Sequence, residues 1–248
     1  LPSMGFFLIL AKFLSYLYNL KKFFKIFSLI LAIALLVYYC ALTIKQNNYW
    51  KDPLLFYERT LRFAPNSQRV FNNLGNIYRE IGRPTEALEA YKKALEIDHN
   101  SQRAYNNLGV LYKDIGQYQE SVKAYKKAIE IDPNYAEAYT NLGVAYKDMG
   151  KLTEAIASFK TAIEKNPDFA EGYNNLAALY ITIGKDDEAI PLLEKAVKIN
   201  SNYAEAYNNL AVAYYDKREY ALAIKSCDEA VALGFKVNPK FLELLKQQ

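Results

Sequence analysis

Five asparagines, Asn73, Asn107, Asn141, Asn175 and Asn209, stand 34 residues apart along this 248-residue chain. Their neighbours recur with them. Leucine follows each one, and after it come Gly75, Gly109, Gly143, Ala177 and Ala211. A fixed period in the range of about 20–50 residues marks a stacked architecture, in which each unit buries its apolar face against the next.

Let the units start at Gln68, Gln102, Ala136, Ala170 and Ala204. The fourth position is then aromatic (Phe71, Tyr105, Tyr139, Tyr173, Tyr207), and the eleventh is Tyr78, Tyr112, Tyr146, Tyr180 and Tyr214. The twentieth is Ala87, Ser121, Ala155, Ala189 and Ala223. The twenty-fourth is Tyr91, Tyr125, Phe159, Leu193 and Cys227, and the twenty-seventh is always Ala. Positions 4, 7, 8 and 11 share one helical face, and positions 20, 24 and 27 share another. Large residues facing small ones let two helices approach closely. Gly82, Gly116, Gly150 and Gly184 lie between the two stripes, where a left-handed turn ends the first helix. Asp132-Pro133 and Asn166-Pro167 close the second helix. The spacing predicts an all-α chain of five helix-turn-helix units, 68–101, 102–135, 136–169, 170–203 and 204–237. Before them, 51–67 reads as a half-repeat and linker. After them, 238–248 reads as a capping helix, with Phe241, Leu242, Leu244 and Leu245 on the last unit.

This pattern resembles the tetratricopeptide repeat (TPR): an aromatic, Leu-Gly, Tyr, then Ala, an aromatic and Pro over 34 residues. The resemblance covers 68–237 and implies a right-handed superhelical solenoid. Departures are few. His99 and Ser201 replace the helix-ending proline, and Arg218 replaces the turn glycine of the fifth unit.

The first 50 residues differ in kind. They hold five lysines and no acidic residue, whereas the rest carries 26 basic and 27 acidic side chains (31 − 5 against 27). The near-neutral repeats lack the basic footprint of a nucleic-acid binder. Ile26–Ile44 is 19 residues without a charge, about 28 Å of helix, which predicts a membrane span. The competing reading, a signal peptide, calls for a shorter apolar region and a small-residue cleavage site. A second span is expected at about 4–20; its alternative is an interfacial helix, because Lys12 lies within it. The loop between holds Lys21, Lys22 and Lys25. Lysine-rich loops stay cytoplasmic, so two spans place the repeats outside the cytoplasm, in a periplasm or an organelle lumen. The bilayer is therefore one expected partner, through 4–20 and 26–44.

A second resemblance covers the junction. Leu1-Pro2-Ser3-Met4-Gly5-Phe6 and the stretch from Trp50-Lys51-Asp52-Pro53 to Asn73-Leu74-Gly75 look like the C-terminal half of membrane proteins that carry TPRs after an O-mannosyltransferase-like core. That family's proposed catalytic acidic residues lie near its N-terminus, so the resemblance brings no catalytic residue to this chain. It leaves an alternative open: an acceptor-binding part of a membrane glycosyltransferase.

No nucleophile elbow, phosphate loop or paired-carboxylate motif is visible in the sequence, and no cofactor or metal is expected; Cys40 and Cys227 form no metal motif. The expected function is binding of a protein or extended peptide. In a TPR stack the first helix of each unit lines the concave wall. There the sixth position is always Asn (73, 107, 141, 175, 209), and seven residues on stand Glu80, Asp114, Asp148, Thr182 and Asp216. A primary amide both donates to and accepts from a peptide bond. The O-linked N-acetylglucosamine transferases hold peptides on a similar ladder, and the five asparagines are the matching positions. The alternative is that these amides bridge neighbouring helices. On the ladder reading, Asn107→Ala with Asn141→Ala weakens capture and barely changes the melting temperature. Chaperone-type clamping of a C-terminal carboxylate is disfavoured by Glu137 in the third unit.

Overall fold

The computed structural model describes residues 8, 9, 11–13, 15, 16 and 22–247. The span expected at 4–20 lies mostly outside the described residues. Every regular element among them is helical, and the chain divides into two compact units, 1–65 and 66–248.

The first unit contains α1 (Lys22–Lys51) and α2 (Pro53–Phe63). Asp52 caps α2: its side chain accepts from the Leu55 N–H at 3.2 Å, and Pro53 takes the first helical position, where a missing N–H costs nothing. Apolar residues ring α1 on all sides. Leu29, Ile30, Ile33, Leu36, Val37 and Ile44 are all exposed. No helix is long and apolar enough to cross a membrane, counted on the described side chains alone. In α1 those run unbroken only over 29–44, and the helical backbone continues beyond them at both ends.

The second unit is five helix pairs. They are α3 (Gln68–Glu80) with α4 (Pro84–Ile97), α5 (Gln102–Asp114) with α6 (Tyr118–Ile131), and α7 (Ala136–Asp148) with α8 (Leu152–Lys165). Then come α9 (Ala170–Thr182) with α10 (Asp186–Ile199), and α11 (Ala204–Asp216) with α12 (Tyr220–Ala232). The turn inside each pair is one recurring hydrogen-bond device. The Arg83 N–H reaches back to the Tyr78 carbonyl at 2.7 Å, and the same bond recurs at Gln117–Tyr112, Lys151–Tyr146, Lys185–Tyr180 and Glu219–Tyr214. It needs a left-handed residue in the middle, φ +71° to +76° in the four glycines. Arg218 adopts φ 63° in the fifth unit, at a cost of about 1 kcal/mol relative to glycine.

The two helices of a pair meet through positions 8 and 24. A Cβ added to Gly75 would lie 2.4 Å from the Tyr91 ring, and one at Gly143 would lie 2.6 Å from the Phe159 ring. Both rings are fully buried. Where the eighth position is Ala177 or Ala211, the facing residue shrinks to Leu193 or Cys227. Volume is conserved and the approach is kept.

First helices of successive pairs touch one another, α3 to α5, α5 to α7, α7 to α9 and α9 to α11; among the described residues the second helices make no comparable contact. A stack in which one row touches and the other splays curves toward the touching row. The first helices therefore form the inner wall. The far end is covered by α13 (Pro239–Lys246): Leu245 is buried, and Phe241 packs edge-on against Tyr215 at 5.4 Å. Leu244, expected to cover the last unit, is instead exposed. The short helix has only one buried stripe, and Leu244 falls off it.

Candidate functional site

The inner wall carries a chain of carboxamides, and its geometry is more specific than a row of free asparagines. Asn141 donates from Nδ2 to Oδ1 of Asn106 at 3.0 Å. Asn107 does the same to Asn72 at 3.2 Å, and Asn209 to Asn174 at 2.8 Å. The sixth position of one unit thus binds the fifth position of the unit before it. The fifth-position amide, in turn, donates to the second position of the following unit: Asn106 to Glu137 at 3.0 Å, and Asn174 to Glu205 at 3.4 Å. Asn106 and Asn174 are almost wholly buried. Bridging of neighbouring helices, one of the two readings of the sixth position, is therefore present at three boundaries. It does not exhaust the amides. Asn107, Asn141 and Asn209 stay half-buried, and each commits one of its two N–H groups.

The fourth unit breaks the series. Its predecessor has Thr140 at the fifth position. The Thr140 hydroxyl is buried and has no hydrogen-bond partner, and neither Asn175 nor Glu171 has one among the described residues. A threonine side chain is one bond shorter than asparagine and cannot bridge in its place.

The thirteenth-position acids are all exposed. Asp114 stands 3.8 Å from Arg79 and 3.5 Å from Lys113, so its charge is partly balanced. Glu80, Asp148 and Asp216 form no ion pair among the described residues, and Thr182 returns its hydroxyl to the Ala178 carbonyl at 2.8 Å.

Charge along the wall changes sign. The second position reads Arg69, Arg103, Glu137, Glu171, Glu205, and the twelfth reads Arg79, Lys113, Lys147, Ile181, Tyr215. Burial, with Glu137 and Glu205 on either side, raises the Glu171 carboxyl above the ordinary range. Burial pushes the Tyr91 phenol up to about 12, and its hydroxyl donates to Asn76 Oδ1 at 2.6 Å. Tyr125 has Val110 where Tyr91 has Asn76, and its buried hydroxyl finds no partner. Among the described residues, no group of three or more His, Cys, Asp or Glu side chains could hold a metal ion. Both cysteines are free, Cys227 buried and Cys40 exposed.

The fifth position was not among the residues singled out from sequence, and the second was weighed only for a carboxylate clamp, which Glu137 disfavours. Their signal was there, in the Asn-Asn pairs at 72–73, 106–107, 174–175 and 208–209, and in Thr140 as the one exception.

Comparison with known proteins follows the same units. The profile described as "TPR repeat" matches residues 75–116, 111–150 and 179–217, and profiles described as "Tetratricopeptide repeat" match 136–169, 158–190 and 204–234. No curated protein matches significantly. Among solved structures, MamA is 30% identical with a TM-score of 0.54, the match covering 71% of this chain and 98% of MamA. Pseudomonas aeruginosa PilF is 26% identical with a TM-score of 0.65, over 72% of this chain and 80% of PilF. YrrB, described as a TPR protein with an unusual peptide-binding site, shares the fold at 20% identity and a TM-score of 0.53, over 77% of this chain and 98% of YrrB. The chain belongs to the tetratricopeptide repeat family.

Proposed function

We propose that this tetratricopeptide repeat protein is a membrane-anchored scaffold, not an enzyme, and that the inner wall of its repeats holds an extended peptide or a segment of a partner protein. The observation that carries the reading is the row of amides along the first helices, each with hydrogen-bonding capacity left over after bridging. Packed helices lie about 8–10 Å apart and an extended chain advances about 3.3 Å per residue, so each unit would meet about three residues. One neutral hydrogen bond contributes about 0.5–1.5 kcal/mol net, so affinity has to accumulate over several units. Glu80, Asp148 and Asp216 would add acceptors at the wall's edge.

The anchor is α1. A helix apolar on all sides is either a buried core helix or a membrane helix, and its described leucines, isoleucines and valine, Leu31 and Leu35 apart, are exposed. The sequence extends the uncharged run to Ile26–Ile44, enough for a span. With the lysine loop in the cytoplasm, the repeats would lie on the non-cytoplasmic side. The glycosyltransferase alternative would use the same groove to hold an acceptor protein, and no described residue favours it over a plain scaffold.

Asn175→Ala is the cleanest test of the groove, because this amide has no internal partner to leave stranded. Binding of a fluorescent, unstructured polar peptide to the full chain in non-ionic detergent should weaken severalfold, with the melting temperature unchanged. Undiminished binding in a triple Ala variant at Asn107, Asn141 and Asn175 would remove the ladder. For the anchor, Cys40 should resist a membrane-impermeant maleimide in native membranes and react after SDS; labelling in intact membranes would exclude the span.

A further inference from the structure

Resting on the groove reading, the structure assigns the boundary between the third and fourth units as a subsite for a cationic side chain, Lys or Arg, of the bound peptide. Three polar groups that elsewhere satisfy one another are left open here. At the second–third and fourth–fifth boundaries a buried fifth-position amide faces both the next unit's second-position carboxylate and its sixth-position amide. Thr140 occupies that place at the third–fourth boundary, and its hydroxyl, buried to 1% exposure, has no partner. Glu171 and Asn175 are the residues it would have engaged. They keep their acceptors for something outside the chain.

The chemistry of that something is set by charge. Glu171 sits in a column with Glu137 and Glu205, one per unit; solvent reaches all three side chains, while the surrounding wall partly desolvates the Glu171 carboxyl. Glu137 and Glu205 are each engaged by an internal amide, and Glu171 is not. Desolvation, and after it repulsion from Glu137 and Glu205, raises the Glu171 carboxyl, and a cation beside it relieves the repulsion. Glu171 also lines a cleft of about 420 Å³ at the edge of the fourth unit, together with Asp168, Phe169, Ile199, Asn200 and Tyr203. Phe169, Ile199 and the Tyr203 ring offer apolar contact to the methylene stem of Lys or Arg, and the Asp168 and Glu171 carboxylates in the same, otherwise polar lining suit its charged end. Arg69 and Arg103 at the other end of the same column would repel a cation, so the subsite also fixes where along the wall a basic residue sits.

The test uses the full chain in non-ionic detergent and two fluorescent peptides. They share an unstructured, otherwise neutral polar sequence; one has Lys at its centre and the other Gln. We expect the Lys peptide to bind about tenfold more tightly at low salt, with the advantage shrinking as salt rises. Glu171→Gln should bring the two peptides within twofold of each other. Thr140→Asn should restore the bridge, raise the melting temperature and also reduce the Lys preference, because Glu171 and Asn175 are then occupied. Equal binding of both peptides to the unaltered chain overturns the subsite and leaves the groove intact. A Lys preference that survives both variants overturns it as well. If neither peptide binds at all, the groove reading fails and the subsite fails with it.

Discussion

The third and fourth units share a backbone plan, and among the differences between them two contacts changed with opposite consequence. Between the helices of the pair, Gly143 facing Phe159 becomes Ala177 facing Leu193. One residue grew as its neighbour shrank, and both pairs are fully packed. On the face offered to the next unit, Asn174 stands where the third unit has Thr140. Asn174 donates to Glu205 and accepts from Asn209, whereas the Thr140 hydroxyl does neither. Volume can be exchanged across a contact because dispersion has no direction. A hydrogen-bond bridge needs both reach and polarity, and a shorter side chain breaks it outright. The fold therefore absorbs the first change and retains a defect at the second.

The largest effect comes from breaking the compensated pair. Gly143→Ala places a methyl against the buried Phe159 ring, 2.6 Å from its nearest atom. Even after the helix-propensity gain of alanine, it should cost about 2–3 kcal/mol by urea unfolding. Adding Phe159→Leu recreates the fourth unit's arrangement and should recover much of the loss. A double variant no more stable than Gly143→Ala alone would show that positions 8 and 24 do not trade volume.

The bridge gives the next effect, with opposite signs on its two sides. Asn174→Ala strands the Asn209 donor and removes the partner of Glu205, and should cost about 1–2 kcal/mol. Thr140→Val removes a buried hydroxyl that has no partner, and should be neutral or raise the melting temperature. The same logic alters the expectation for Asn107→Ala with Asn141→Ala. Each of these amides donates to a buried acceptor, so their loss lowers stability as well as any capture.

Much of this was legible in the sequence, and the remainder was hidden for identifiable reasons. The helix pairs were readable because a 34-residue period repeats both the apolar stripes and the turn glycines, and these positions answer to local backbone and volume. Arg218 could be named as the fifth turn residue because the period located it. The division of labour between adjacent asparagines was not readable. Asn106 and Asn107 are neighbours in sequence, yet Asn106 bonds forward to the third unit and Asn107 back to the first. Periodicity shows that both recur and does not show which is buried. The structure separates them by burial: Asn106 is inaccessible, while Asn107 remains half open. Leu244 shows the same limit at the end cap, where too few residues define a face.

The smallest effect, and the one that best isolates the third–fourth boundary, is electrostatic. Burial and the flanking Glu137 and Glu205 raise the folded-state pKa of Glu171, and Asp168 and Tyr203 line the cleft beside it. A raised carboxyl favours its protonated form in the folded chain. Its stabilising contribution is full below the unfolded-state carboxyl pKa of about 4.3 and is lost as pH climbs through the higher folded value. Glu171→Gln carries no such penalty. The variant should melt slightly above the parent at neutral pH, and the gap should close as pH falls through the carboxylate range. Glu205→Gln, whose carboxylate accepts from Asn174, should give no such gain. A Glu171→Gln chain that is equally displaced at both ends of the pH range would mean that the side chain acts through packing and not through charge, and the contrast between the two boundaries would then rest on Thr140 alone.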